Sequence, residues 1–248
     1  MKTKFLWLLA AFPALLAATP ITLDFVTGAP NSNIGASYLI SGSPTLTITA
    51  RYKLPEPSDP IFGGGLAGTI YWGDLGDMVD PTDCGVTGKP ACIGLGVQKA
   101  GGGGSNGISG NGGDQNEALV FTWDGPGVPA GSIRLGLVGL NDVANKATDV
   151  DIVALYLEFW PSNGSPSDVT INPYNFAAIA AAPSIVDFST IVPPGMETSF
   201  VRSISVAAIQ GHFGVDSLSY EEVPEPASWL GAAAGLLALA GLRRARLA

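Results

Sequence analysis

The hydrophobic pattern along this chain has a period of two, and the helical period is nearly absent. Short stretches of β-branched and aromatic residues, alternating with polar ones or running on continuously, recur between clusters of Gly, Pro, Asn and Ser. That is the pattern of strands separated by turns. Ten such stretches stand out: Ile21–Thr27, Thr45–Tyr52, Leu66–Trp72, Cys92–Gln98, Glu117–Trp123, Ser132–Leu140, Asp151–Trp160, Ser184–Thr190, Thr198–Ala208 and Phe213–Tyr220. Thr45–Tyr52 is the cleanest, with one apolar face. Short strands in this number, without an internal repeat, predict an all-β chain: an antiparallel β-sandwich of jelly-roll-like form. The apolar segment Tyr174–Ala182 leaves room for one short helix.

The glycine-rich stretch Gly101–Gly113 reads as a mobile loop in a hairpin that joins Cys92–Gln98 to Glu117–Trp123. It contains a dinucleotide-type pattern from Gly102 to Gly107 and a nucleophile-elbow pattern from Gly103 to Gly107. Both need a strand feeding a helix, and low complexity produces such matches by chance. Neither is retained.

The two ends of the chain follow other rules. Lys2 and Lys4 precede the apolar run Phe5–Leu16, and Ala14–Ala18 supplies small residues before Thr19. A basic region, an apolar core and a small-residue zone make a secretory signal peptide over residues 1–18, with cleavage near Ala18. At the other end, Val223-Pro224-Glu225-Pro226 is followed by 16 uncharged residues, Ala227–Leu242, and then by Arg243, Arg244 and Arg246. The two prolines keep the motif extended and stop a helix from starting early. As a helix the apolar run would reach roughly 24 Å, a short transmembrane helix that flanking arginines can lengthen by snorkelling. Arginines after the span and Glu221, Glu222 and Glu225 before it put the C-terminus on the cytoplasmic side.

The ordered triplet of motif, apolar span and arginines resembles the PEP-CTERM sorting signal, also catalogued as the ice-binding-protein C-terminal domain, here covering residues 223–248. The resemblance implies an exported bacterial protein, tethered in the inner membrane as a precursor. Exosortase would process it near Val223–Pro226, and it would be destined for the cell surface or extracellular matrix beside exopolysaccharide. A second Pro-Glu-Pro at Pro55–Pro57 lacks the apolar run, so the tripeptide alone carries little. Phe213–Tyr220 resembles the final strand of such proteins. By that resemblance Ile21–Thr27 would lie beside it, with Asp24 and Asp216 either holding a structural calcium or serving as outward strand carboxylates.

Composition sharpens the picture for the body, residues 19–222. Without the two ends its basic residues fall from 12 to 7 and its acidic ones from 21 to 20, leaving a net charge of about −13. Nucleic acid is a poor partner for so acidic a surface. Cys84 and Cys92 are expected to form one disulfide in an oxidising compartment. A metal pair is the alternative, with one histidine in the whole chain to complete it.

Candidate chemistry is sparse. Asp74, Asp77, Asp80 and Asp83 recur every third residue, and Asn111, Asp114, Asn116 and Glu117 cluster where the glycine-rich stretch meets a strand. Oxygen-rich loops of this kind suit calcium. Asp114, Asn116 and Glu117 are the candidate ligands, with a solvated loop and a polar strand cap as the plain readings. His212 is the one possible triad base and reads as a surface turn residue. Trp72, Trp123, Trp160 and Tyr174 could stack on sugar rings or belong to the sheets' inner faces. The body is therefore expected to be a non-enzymatic sandwich that binds polysaccharide. A secreted hydrolase acting on extracellular polysaccharide or ester is the alternative. Ice binding would need repeated threonine rows, and Thr45, Thr47 and Thr49 form one.

Overall fold

The computed structural model describes residues 19–42, 44–52, 65–75, 92–98, 107–110, 117–140, 152–160, 167–175 and 184–222. Among them sixteen strands follow in order. They are β1 Thr19–Asp24, β2 Ser32–Gly35, β3 Ser37–Ile40, β4 Leu46–Tyr52, β5 Leu66–Ala67, β6 Thr69–Asp74, β7 Ile93–Gln98 and β8 Ile108–Ser109. Then come β9 Ala118–Trp123, β10 Val128–Pro129, β11 Arg134–Val138, β12 Ile152–Trp160, β13 Ser167–Asn175, β14 Ser184–Asp187, β15 Phe200–Gln210 and β16 His212–Glu222.

They form two antiparallel sheets. The first runs β14-β11-β16-β7-β6-β2, with β1 and β8 also paired to β16; the second runs β13-β12-β15-β9-β4-β3, with β10 on β15 and β5 on β4. One core lies between them. From the first sheet it takes residues such as Leu95, Leu135, Val215 and Leu218; from the second, residues such as Ile48, Phe121, Leu155 and Ile204. Leu46, Ile48 and Ala50 on β4 are buried while Thr47, Thr49 and Arg51 between them are less so, the alternation that one packed face imposes on a sheet.

All ten expected strands are present, with limits close to those expected. The sequence reading missed β2, β3, β8, β10 and β13 and fused β5 with β6. The strands β2, β3, β8 and β10 have two to four residues each, too few for alternation to declare itself. β13 is longer, but its Asn172, Pro173 and Asn175 read as turn formers. Two expectations are corrected here. Tyr174 and Asn175, allowed to begin a helix, instead end β13. The hairpin between Cys92–Gln98 and Glu117–Trp123 does not form, because β7 and β9 belong to different sheets. The described part of the glycine-rich stretch, 107–110, is not a loose loop either. It holds β8, buried against β16.

β1 lies antiparallel to β16 from Thr19↔Glu222 to Asp24↔Ser217, so the body starts and finishes side by side. Residues 1–18 and 223–248, which carry the expected signal peptide, the sorting motif, the span Trp229–Leu242 and the arginines, lie outside the described residues. No helix among the described residues is long and apolar enough to cross a membrane.

Candidate functional site

Three places gather polar chemistry. The first is the outer face of the second sheet. Register lines up Leu39, Thr47, Thr122, Ser203 and Glu158 across β3, β4, β9, β15 and β12. The next row is Ser37, Thr49, Val120, Ser205 and Tyr156, followed by Arg51, Ala118, Ala207 and Ala154. Strands stand about 4.8 Å apart, so hydroxyls recur along a row at that interval. Their alternate neighbours Ile48, Phe121, Ile204 and Leu157 fill the core, which forces these side chains outward.

The face slopes from open to closed. Leu39 is exposed and Thr47, Thr49, Thr122 and Glu158 are half-buried, whereas Ser203, Ser205 and Tyr156 are buried. The Ser203 hydroxyl donates to Thr122 Oγ1 at 3.2 Å. Burial pushes the Tyr156 phenol up. Arg51 Nε and Ser205 Oγ on the same face are buried with no hydrogen-bond partner among the described residues.

The second place is a bulge in β16. Gly136 faces Ser217 and Leu137 faces Val215, which leaves Asp216 as the extra residue against β11. Its carboxylate sits over Gly136: a Cβ there would fall 2.0 Å from Asp216 Oδ1 and 2.1 Å from Ser217 Oγ. Asp216 is 7% exposed and accepts from the Ser217 hydroxyl at 2.7 Å. Burial pushes its carboxyl up, the Ser217 hydrogen bond pulls the other way, and the Asp24 charge adds to the rise. Asp24, by contrast, is held low by the Thr27 hydroxyl and by the Val26 and Thr27 N–H groups. Asp24 and Asp216 thus do meet across β1 and β16, one exposed and one buried.

The third place is the start of β16. His212 pairs with Ser109 of β8, and Ser109 N–H donates to Glu117 Oε2 at 2.9 Å. Glu117 N–H donates back to the Ser109 carbonyl, and Ala208 N–H to the Glu117 carbonyl. Glu117, 1% exposed, thereby ties β8 to the second sheet. Its backbone and carboxylate hold that link whatever else the side chain meets. The histidine, expected at a surface turn, begins a strand and is half-buried, and burial pulls its imidazole down. Sequence reasoning missed Ser109 because it sits in a low-complexity stretch.

Of the other candidates, Asp114, Asn116, Asn111, Asp77, Asp80, Asp83 and Cys84 lie outside the described residues. Asp74 ends β6, where its N–H donates to Asn31 Oδ1. No group of three His, Cys, Asp or Glu side chains among the described residues is placed to hold a metal. None of the described residues is a free cysteine; with Cys84 outside them, the Cys84–Cys92 bridge stays a proposal. Trp123 is a core residue, edge-on to Tyr220 at 5.3 Å. Trp72 packs on the core, with its Nε1–H donating to the Phe25 carbonyl. Trp123 therefore offers no ring to a sugar, while Trp72 is half-buried. Trp160 ends β12 opposite Phe200, and Tyr174 lies in β13 opposite Val153.

No family model matches the chain, and no curated protein matches it. Solved structures similar to it include a family 11 carbohydrate-binding module from Clostridium thermocellum, in complex with a β-1,3-1,4-mixed-linked tetrasaccharide. That likeness has 12% identity, covers 84% of this chain and 99% of the module, and has a TM-score of 0.31. The family 11 module of the cellulosomal cellulase Lic26A-Cel5E of the same organism gives 13% identity, 84% and 94% coverage, and a TM-score of 0.26. A module specific for non-crystalline cellulose, CBM28, gives 15%, 69% and 94%, and 0.25. At these TM-scores the likeness says nothing of what this chain binds.

Proposed function

We propose that this chain is an exported β-sandwich protein that binds extracellular polysaccharide without cleaving it. The observation that carries the binding is the half-buried group Thr47, Thr49, Thr122 and Glu158 on the outer face of the second sheet, where Thr47 and Thr122 stand side by side and the buried Ser203 hydroxyl holds Thr122 in place. Hydroxyls at strand spacing on a rigid sheet suit a repeating polyol, which exchanges hydrogen bonds with them at little ordering cost. Sorting rests on residues 223–248: exosortase would act near Val223–Pro226 after Trp229–Leu242 has held the precursor in the inner membrane. Export would also supply the oxidising setting for a Cys84–Cys92 bridge. Calcium at Asp114, Asn116 and Glu117, or beside Asp24 and Asp216, would be an accessory to binding.

The test is electrophoresis of the purified chain through gels containing soluble glucans or bacterial exopolysaccharide, with calcium and with chelator. Retardation that falls several-fold in Thr47→Val or Thr49→Val, at unchanged thermal stability, supports the reading. Equal retardation of variant and native chains overturns the assigned face. Release of reducing sugar or ester product that is lost in His212→Gln would replace binding by hydrolysis. Intact mass of material recovered outside cells with and without exosortase checks the sorting.

A further inference from the structure

We propose that the outer face of the first sheet is a separate binding surface for a neutral polyol, centred on Arg134. Its ligand class rests on the polysaccharide proposal; its residues are different ones. Leu23, Leu218, Leu135 and Val186 stand in one row across β1, β16, β11 and β14 and belong to the core or pack against it. Alternation along the strands turns the rows on either side of that one outward. One outward row is Thr22, Ser219, Arg134 and Asp187; the other is Asp24, Ser217, Gly136 and Ile185. Thr22, Asp24, Arg134 and Ile185 are exposed, and Ser217, Ser219 and Asp187 are half-buried.

The guanidinium is held from one edge. Arg134 Nε–H donates to Asp187 Oδ2 at 3.1 Å, and Asp187 Oδ1 in turn accepts from the Ser189 N–H at 3.0 Å and from the Ser189 hydroxyl at 2.6 Å. The Arg134 side chain is 55% exposed, and its two Nη groups have no partner among the described residues. Part of the ordering cost of binding is thus met before a ligand arrives. A guanidinium presents its donors as a planar fork, which fits a carboxylate or the two oxygens of a vicinal diol. Charge decides between them. Asp187 already neutralises Arg134, and Asp24 and Glu221, both exposed, leave the surface net negative. A neutral diol is therefore the match. Ser219 and Thr22 extend the row with hydroxyls at about 4.8 Å intervals. Ile185, 68% exposed, stands beside the side-chain-free Gly136 and offers an aliphatic surface to the C–H face of a sugar ring. The outer faces of a sandwich point to opposite sides, so this surface and the second-sheet face together would let one molecule hold two polysaccharide chains.

Affinity electrophoresis of the full-length chain in detergent micelles tests this, with a neutral soluble β-glucan in one gel and alginate, a polyuronate, in another. Thr47→Val should leave part of the retardation in glucan, and adding Arg134→Gln and Ile185→Ser should cut what remains several-fold. An exposed ion pair contributes little to stability, so the melting temperature should hold; if it falls, Thr22→Val on the same row takes the place of the pair and should act in the same direction. Remaining retardation that ignores these changes overturns the inference, as does native retardation in alginate but not in glucan. The two proposals fail separately. Retardation lost wholly in Thr47→Val and untouched in Arg134→Gln overturns this surface and keeps the second-sheet face. Retardation lost in Arg134→Gln and untouched in Thr47→Val overturns the second-sheet face and keeps this one.

Discussion

Two glycines in the turn from β9 to β10 separate backbone cost from collision. Gly125 and Gly127 both have left-handed φ, 65° and 86°. A Cβ on Gly125 would meet nothing within 4 Å, whereas one on Gly127 would lie 1.9 Å from the Val201 carbonyl oxygen and 2.6 Å from its carbon. Gly125→Ala therefore carries the conformational cost alone, about 1–2 kcal/mol. Gly127→Ala adds a clash with the backbone of β15, which cannot rotate away as a side chain can. Relief requires prising Val128 and Pro129 from Val201 and Phe200, roughly 1–3 kcal/mol more on the scale of overpacked interiors. Equilibrium urea unfolding followed by tryptophan fluorescence reads the difference, Trp123 being fully buried. With a slope of about 2 kcal/mol per molar urea, the Gly127→Ala midpoint should fall below that of Gly125→Ala by about 1 M, with unchanged slope. Equal midpoints would refute the placement of β10 against β15.

Two further outcomes concern pH. Asp216 has a raised folded pKa, so the folded state holds its proton longer than the unfolded state, and stability declines as pH rises above the ordinary carboxylate range. Asp216→Asn should therefore raise the melting temperature at pH 7 relative to the native chain and lose that advantage near pH 3; an advantage independent of pH would sink the burial argument. His212 has a lowered folded pKa, so its contribution is fully present above about 6.5 and is lost as pH falls from there through the folded value. His212→Gln should flatten the melting-temperature profile between pH 7.5 and 5, and an unchanged acid slope would assign the loss to other groups.

The candidate face shows how far one sequence reaches. Thr47 and Thr49 were legible as the outward positions of a strand, since their neighbours Leu46, Ile48 and Ala50 are apolar. Their alignment with Thr122 and Ser203 was not. Register joins distant strands, Thr122 and Ser203 standing 81 residues apart, through pairings that no local pattern encodes. The same limit applies to Ser109 and His212, brought together by β8, a two-residue strand in glycine-rich sequence. Asp24 and Asp216 were paired in advance through a family resemblance, and the burial of one and exposure of the other came from the bulge that Gly136 permits.

By itself the sequence determined the class of structure and ten of the strands, since side-chain alternation is a local property that burial of one face reads directly. It also carries the two terminal segments, whose order of charge, apolar run and proline is linear information. Tertiary structure alone decided which sheet each strand joins, and therefore which hydroxyls share a row, which carboxylate is buried, and that Thr19 lies opposite Glu222. The reason is loop closure: a strand's own residues fix its two faces, but its neighbours are chosen by the packing of the whole core.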